Sequence, residues 1–297
     1  METKVLQSYK GAAAIWKKAL NLGQKKAKDG ALLLDIAESI EKLIIEEGAK
    51  PAFPVNLSIN EEAAHFTPKF KDKAELKKSD LLKIDIGVAV DGYICDGAFS
   101  VNLDNKHAKQ IEANELALKN AISKAEFGKP IEAIGAEIEK TLNEKGFEPV
   151  RNLGGHGLEQ YNIHAKPNIP NHSKGSTALL EEGVIAIEPF ASTGKGAVGE
   201  VANVEIFSFI EKKGLRNIHA REMLMEAEDY GGLPFAQRWL MEKTGFDDFK
   251  ANIALRELLK AGCFHAYPGL REAKGAFVSQ AEKSLIILED ETIVLGE

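Results

Sequence analysis

The spacing of apolar and polar positions changes several times along the chain, and each change marks an element. From about residue 3 to 28 a lysine- and alanine-rich segment carries apolar residues at helical spacing, which predicts an amphipathic helix stopped near Asp29-Gly30. A second predicted helix, LLLDIAESIEKLIIEEG, ends at Gly48, where a glycine suits the left-handed residue that closes a helix. In PAFPVNLSINEEAAHFTP, Pro51, Pro54 and Pro68 frame an extended stretch that carries His65. The period then falls to two in LLKIDIGVAVDGYICDGAFSV, residues 81–101. This reads as two strands joined at Asp91-Gly92, a dipeptide suited to the type I′ turn of a two-residue hairpin. That turn pairs Val90 with Tyr93, Asp85 with Ala98 and Gly87 with Asp96, so both aspartates share a face. A one-residue slip would separate them. As diagonal neighbours their Cβ atoms would lie roughly 7–8 Å apart or somewhat less, close enough to grip one or two cations.

Residues 106–125 and 131–145 read as two further helices, broken at Gly128-Lys129-Pro130, and the glycine-loosened NLGGHGLEQYNIHA follows. A second strand ending in an acid appears in GVIAIEPF, residues 183–190. It has the plan of LLKIDIGV, a polar lead, an alternating apolar strand and then an acid, which implies an internal repeat with a helix pair in each half. Roughly 216–262 reads as helical throughout, LPFAQRWLMEK included, and as an insertion outside the sheet. The chain closes with GAFVSQAEKSLIILED, expected as one long strand holding Glu282 between Gln280 and Ser284 on one face.

With 297 residues, 44% of them hydrophobic and 28% charged, the chain has the composition of a globular enzyme with a sizeable core. A net charge of −7 argues against a nucleic-acid binder that works by bulk charge. The start, METKVLQSYK, lacks an apolar signal core, and no run approaches the roughly 18 apolar residues that span a bilayer. Cys95 and Cys263 form neither a disulfide framework nor a zinc knuckle. The expected location is the cytoplasm, with no membrane partner.

Four acids stand in strand-like apolar surroundings: Asp85, Asp96, Glu188 and Glu282. A buried, uncompensated charge is very costly, so such acids call for a partner. With His156 of the GGHG segment they make four carboxylates and one imidazole, and two divalent cations would balance the charge. Such a set suits Mn, Fe(II) or Co and also accommodates zinc. Two metals roughly 3.5–4 Å apart can clamp a hydrolytic water and polarise a carbonyl. Singly, each residue has an ordinary reading: Glu188 as a strand cap before Pro189, Glu282 facing solvent, His156 hydrogen-bonded in a core. Jointly, several independent accidents would have to coincide.

AFPVNLSINEEAAHFTP, KIDIGV with DGYICD, NLGGHGLEQYNIHA, AIEPFASTGKG, LPFAQRWL and SQAEKSLII, in that order, resemble the type 2 methionine aminopeptidases in their short archaeal form. The resemblance implies an α+β "pita-bread" fold, two pseudo-symmetric halves around a curved antiparallel sheet. It implies one catalytic domain over residues 1–297 with a helical insertion at about 210–272. The implied activity is metal-dependent removal of the initiator methionine from nascent proteins with a small second residue. Asp85 would bind one metal, His156 and Glu188 the other, and Asp96 and Glu282 both, the two ions being Co, Mn, Fe(II) or Zn. Glu188 would also take a proton from the attacking water. His65 would stand beside the scissile bond to steady the intermediate or pass a proton, and His164 would contact the substrate backbone. Phe53 would wall the methionine pocket, with Tyr267 and Ile206 as further candidates, Ile206 also reading as a plain core residue. Peptide N-termini are the implied partners, with the ribosome where nascent chains emerge. Three positions depart from the family: Gly97 where Thr or Ser is usual, and Ala281 and Lys283 where Phe and His flank the acid. Another pita-bread hydrolase, a proline-directed aminopeptidase or dipeptidase, is the alternative enzyme. A catalytically silent binding relative is the alternative outside enzymes, although such proteins lose ligands and all five stand here.

Overall fold

The computed structural model describes residues 1–297. Its first two helices, α1 (Thr3–Lys26) and α2 (Leu33–Glu46), bury the stripes that their spacing predicts, among them Tyr9, Trp16 and Ala19 on α1 and Ile36, Ile40 and Ile44 on α2. Both pack against a long hairpin, Leu81–Val90 with Tyr93–Asn102, in one apolar core. The hairpin register is the predicted one, with Val90 opposite Tyr93, Gly87 opposite Asp96 and Asp85 opposite Ala98. Asp91 (φ 51°) and Gly92 (φ 83°) are both left-handed, the signature of a type I′ turn. Asn56–Ile59 lines the other edge of Leu81–Val90, with Asn56 beside Asp85.

The second half repeats the plan. Helices α3 (Ala108–Ile122) and α4 (Glu132–Glu144) cover a sheet made of Gly154–Glu159, Asn162–Pro170, Gly183–Ile187, Lys283–Ile287 and Thr292–Val294, and a second core lies between them. Hydrogen bonds stitch the two halves along Tyr93–Asn102. The Ser284 hydroxyl accepts from the Asp96 amide (2.8 Å) and donates to the Asp96 carbonyl (2.7 Å). The Glu282 amide donates to the Ala98 carbonyl at 2.9 Å, and the Ser100 hydroxyl bonds both backbone groups of Gln280 at 2.7 and 2.9 Å. The match of 96 with 284, 98 with 282 and 100 with 280 is an antiparallel register in which serine hydroxyls replace part of the backbone ladder.

Two sequence expectations are corrected. The closing segment is not one strand but two: Val278–Gln280 pairs with Phe190–Ser192, and Lys283–Ile287 with Gly183–Ile187. Pairing lapses at Ala281-Glu282, opposite Glu188-Pro189, because Pro189 has no N–H for the ladder. Nor is 216–262 helical throughout. It holds α5 (Ile218–Glu228), α6 (Gln237–Thr244) and α7 (Asp248–Ala261), around a core of their own. Between α5 and α6 the chain turns at Gly231 (φ 63°) and Gly232 (φ 97°), then Phe235-Ala236 pairs with the Ile206–Phe209 strand. That strand also pairs with Phe264–Tyr267, so the stretch from 210 to 272 contains sheet as well as helix.

Candidate metal centre

At the seam between the halves, Asp85, Asp96, His156, Glu188 and Glu282 line one cleft. The hairpin supplies the two aspartates, the Gly154–Glu159 strand supplies His156, and the facing breaks supply Glu188 and Glu282. His156 Nε2 lies 3.9 Å from both Asp96 Oδ2 and Glu188 Oε1. Its Nδ1 lies 3.2 Å from the Gly157 carbonyl, which assigns the proton to Nδ1 and leaves the Nε2 lone pair facing the acids. Ligand atoms of Asp96, His156 and Glu282 all fall within 4.8 Å of one another. Gln280 Nε2 lies 3.4 Å from Asp85 Oδ2, Glu188 Oε2 and Glu282 Oε2 alike.

No lysine or arginine pairs with any of these acids; His156 alone stands within 4.0 Å as a basic group. Oδ1 of Asp85 and Oδ1 of Asp96 are buried without a hydrogen-bond partner. Burial lifts the Asp85 carboxyl to about 7. It lifts Asp96, Glu188 and Glu282 well above the carboxylate range, and repulsion among the four adds to it. Burial holds His156 down to about 4, and the nearby His65 pushes in the same direction. Four crowded carboxyls, two of them with an orphaned oxygen, and one imidazole lone pair form a donor set that fits divalent cations.

The accessory residues also gather here, since Phe53, His65, His164, Ile206 and Tyr267 line the same cleft. His65 is left-handed (φ 64°), and its Nδ1 lies 3.2 Å from the Pro268 carbonyl. The rings of His164 and His156 meet edge to face at 4.8 Å. Burial lowers His65, with His265 adding, and lowers His164 to about 3, with His156, His65 and His265 adding, so both rings are neutral at pH 7. Tyr267 Oη and Ser208 Oγ are 3.2 Å apart. Gly87 is what admits Phe53, because a Cβ there would stand 2.3 Å from its ring.

Sequence reasoning missed several lining residues, notably Asn56, Ile163, Phe190 and Pro234. Each sits inside a quoted motif, yet nothing in a linear pattern says which motif positions face a cleft. Two of the three positions singled out by the resemblance, Gly97 and Lys283, meet at Trp16. A Cβ at Gly97 would stand 2.5 Å from Cζ2 of Trp16, whose Nε1 donates to the Gly97 carbonyl at 3.2 Å. Lys283 Nζ lies 4.7 Å from that indole ring. Trp16 thus fills, behind Asp96, the space that a side chain at 97 would take. Ala281 joins the apolar core beneath α3 and α4.

This architecture, with clustered acids at its seam, is that of a metallopeptidase: the profile of metallopeptidase family M24 matches residues 7–219, and the chain belongs to that family. Within it the chain falls among the methionine aminopeptidases, metal-dependent hydrolases. It is 44% identical over 289 residues to the methionine aminopeptidase of Pyrococcus abyssi, covering 96% of this chain and 97% of that one. To the methionine aminopeptidase of Thermococcus kodakarensis it is 46% identical over 263 residues, 88% of each chain. Among solved structures, a thermophilic Arx1 superposes with a TM-score of 0.86 at 20% identity, over 100% of this chain and 91% of that one. Methionine aminopeptidase from Thermotoga maritima gives 0.71 at 19% identity, over 100% and 98%. Prolidase from Pyrococcus furiosus gives 0.63 at 18% identity, over 100% and 64%. These structures show the fold, the pita-bread α+β arrangement of two pseudo-symmetric halves.

Proposed function

We propose that this chain removes the initiator methionine from nascent polypeptides whose second residue is small. The observation that carries the reading is the meeting of four buried acids and one imidazole, with no lysine or arginine to pair them, beside an apolar wall. Asp85, Asp96, His156, Glu188 and Glu282 would hold the divalent cations, two by charge balance, drawn from Co, Mn, Fe(II) or Zn. Such ions, when bound, polarise a carbonyl and lower the pKa of water.

The chain's own groups would do the rest. Glu188, whose carboxyl faces the cleft, accepts the proton of the attacking water. His65 donates Nδ1–H to Pro268, so its Nε2 is free to collect a proton and pass it to the departing amine. Neutral His164 bonds the substrate backbone. Phe53, Ile206 and Tyr267, joined by Pro234, enclose the methionine side chain, where one methylene is worth about 1–3 kcal/mol of discrimination. Residues 1–297 act as a single catalytic domain in which the insertion at about 210–272 lends Pro234 and Tyr267 to the pocket. Acting on nascent chains places the work in the cytoplasm at the ribosome, which co-sedimentation with translating ribosomes would check.

The test uses purified protein, stripped of metal and reloaded with Mn, Co or Fe(II), offered Met-Ala-Ser and Ala-Pro-Ala. Release of methionine alone is the expected result. Cleavage at proline would move the chain to the proline-directed peptidases, and no turnover under any metal would make it a silent binding relative.

A further inference from the structure

The motif LPFAQRWL sends its proline into the cleft, but its arginine serves another purpose. Arg238 is 1% exposed, and its Nη2 pairs with Glu41 Oε1 on α2, itself 5% exposed. Arg238 Nη1 donates to Thr67 Oγ1 at 2.9 Å and to the Pro68 carbonyl at 3.1 Å. Trp239 Nε1 donates to Glu41 Oε2 at 2.9 Å, and the Val55 amide donates to Glu41 Oε1 at 3.1 Å. The Thr67 hydroxyl closes the ring by donating to the Val55 carbonyl at 2.9 Å. One buried ion pair therefore ties α2 and α6 to two stretches of irregular chain.

Each tie falls close to a residue of the cleft. Val55 lies between Phe53 and Asn56, Thr67 follows His65 by two positions, and Arg238 follows Pro234 by four. His65 holds a left-handed backbone that a non-glycine residue keeps only where its surroundings fix it. None of the five cation ligands stands on α2, on α6 or between residues 53 and 68. A buried ion pair adds little net stability over apolar residues of similar volume, and fixing register is its best-attested use.

We propose that Arg238, through Glu41 and Thr67, is a positioning residue that sets the substrate wall of the cleft, Phe53, His65 and Pro234, against the cation ligands. This rests on the aminopeptidase reading and adds a division of labour: the ligands hold the ions, and the Arg238 clamp holds the peptide's place beside them. Losing the clamp shifts the wall far more than the ligands, of which only Asp85 meets the clamped stretch, at Asn56.

The decisive protein is the double variant Glu41→Leu with Arg238→Met, which leaves no unpaired charge in the core; because the Val55 amide and Trp239 Nε1 lose their acceptor, its melting temperature is compared with wild type to confirm that it folds. Its KM for Met-Ala-Ser should rise about tenfold or more, as small misplacements at a site do, while Mn2+ affinity and stoichiometry by calorimetry stay within about threefold of wild type. Trp239→Phe, losing one hydrogen bond, should raise KM by less, and Arg238→Lys should fall between Arg238→Met and wild type. An active wild type with a double variant of unchanged KM overturns the clamp. So does a loss of cation affinity in step with activity, the mark of a merely structural role. A wild type that releases no methionine under any metal overturns the aminopeptidase reading itself, and the clamp with it.

Discussion

Glu188 stands where a proline interrupts strand pairing, and this turns its carboxylate from the ladder into the cleft, next to His156 and Gln280. Its Oε2 keeps only the 3.4 Å approach of an amide, so once bound cations hold the carboxyl ionised it is free to take a proton. Replacing it by glutamine preserves shape and removes the basic oxygen. We expect Glu188→Gln, assayed on Met-Ala-Ser with metal added to saturation, to lose about 10²–10⁴-fold in kcat. A variant that keeps most of its turnover would remove Glu188 from the proton-accepting role. Gly97 makes a second prediction, because its missing Cβ is the space that Trp16 fills. Gly97→Thr should cost about 1–3 kcal/mol of stability through overpacking. Adding Trp16→Leu should recover much of that loss, a coupling that urea unfolding of both single variants and the pair would measure. Additive losses would mean that the two residues do not share the space.

The hairpin does most to position the site, and its sequence also announces it most clearly. Alternation placed the strands, Asp91-Gly92 set the turn, and the turn set the register that puts both aspartates on one face. Gly92 matters twice: its φ of 83° suits glycine, and a Cβ there would stand 2.4 Å from the Tyr161 ring. Gly92→Ala should therefore destabilise by about 1 kcal/mol or more and weaken Mn2+ binding, since Asp85 and Asp96 depend on that turn. Wild-type cation affinity in this variant would show that the strands fix register without it. Other elements were less legible, for identifiable reasons. The break at Ala281-Glu282 depends on Pro189 in the facing strand, which a local pattern does not register. LPFAQRWLMEK reads as helix because its apolar residues recur at helical spacing, although Gly231, Gly232 and Pro234 end the pattern ahead of α6. The acids were legible because charge inside an apolar strand is unusual. Trp16 and Arg238 were not, since each has an ordinary helical position and acts through partners far away in sequence.

At the scale of the molecule, the cleft joins two halves, with Asp85 and Asp96 on one and His156, Glu188 and Glu282 on the other. A cation held there fastens the halves, and a ligand that binds only the folded chain stabilises it by about 2.7 kcal/mol at a hundred times its Kd. The sign of the pH effect follows from the carboxyls. Their folded pKa values lie above the ordinary 3.8–4.5, so the stripped protein has the full benefit of their protonation below about pH 4 and loses it as pH rises through 7, where Asp85 sits, and beyond. Lys83, lowered to about 7 by burial, and the lowered histidines His65 and His164 act in the opposite sense. Lys83 lies outside the cleft, so its effect is common to the stripped and the loaded protein; His65 and His164 line the cleft, and a cation beside them would lower both further, which favours the neutral form they already take at pH 7. Cations compete with protons for the same oxygens, so loading gains strength as the acids ionise. The rise in melting temperature on adding Mn2+ should therefore grow between pH 6 and pH 8 by about 5 °C or more, read by calorimetry on stripped and loaded samples at each pH. His156→Ala with Glu188→Gln should flatten that growth, because a lost imidazole and a lost acid weaken the hold of the second half. If the gap between stripped and loaded protein stays constant over that range, protons and cations are not contending for these acids, and the seam is held by its serine and backbone hydrogen bonds alone.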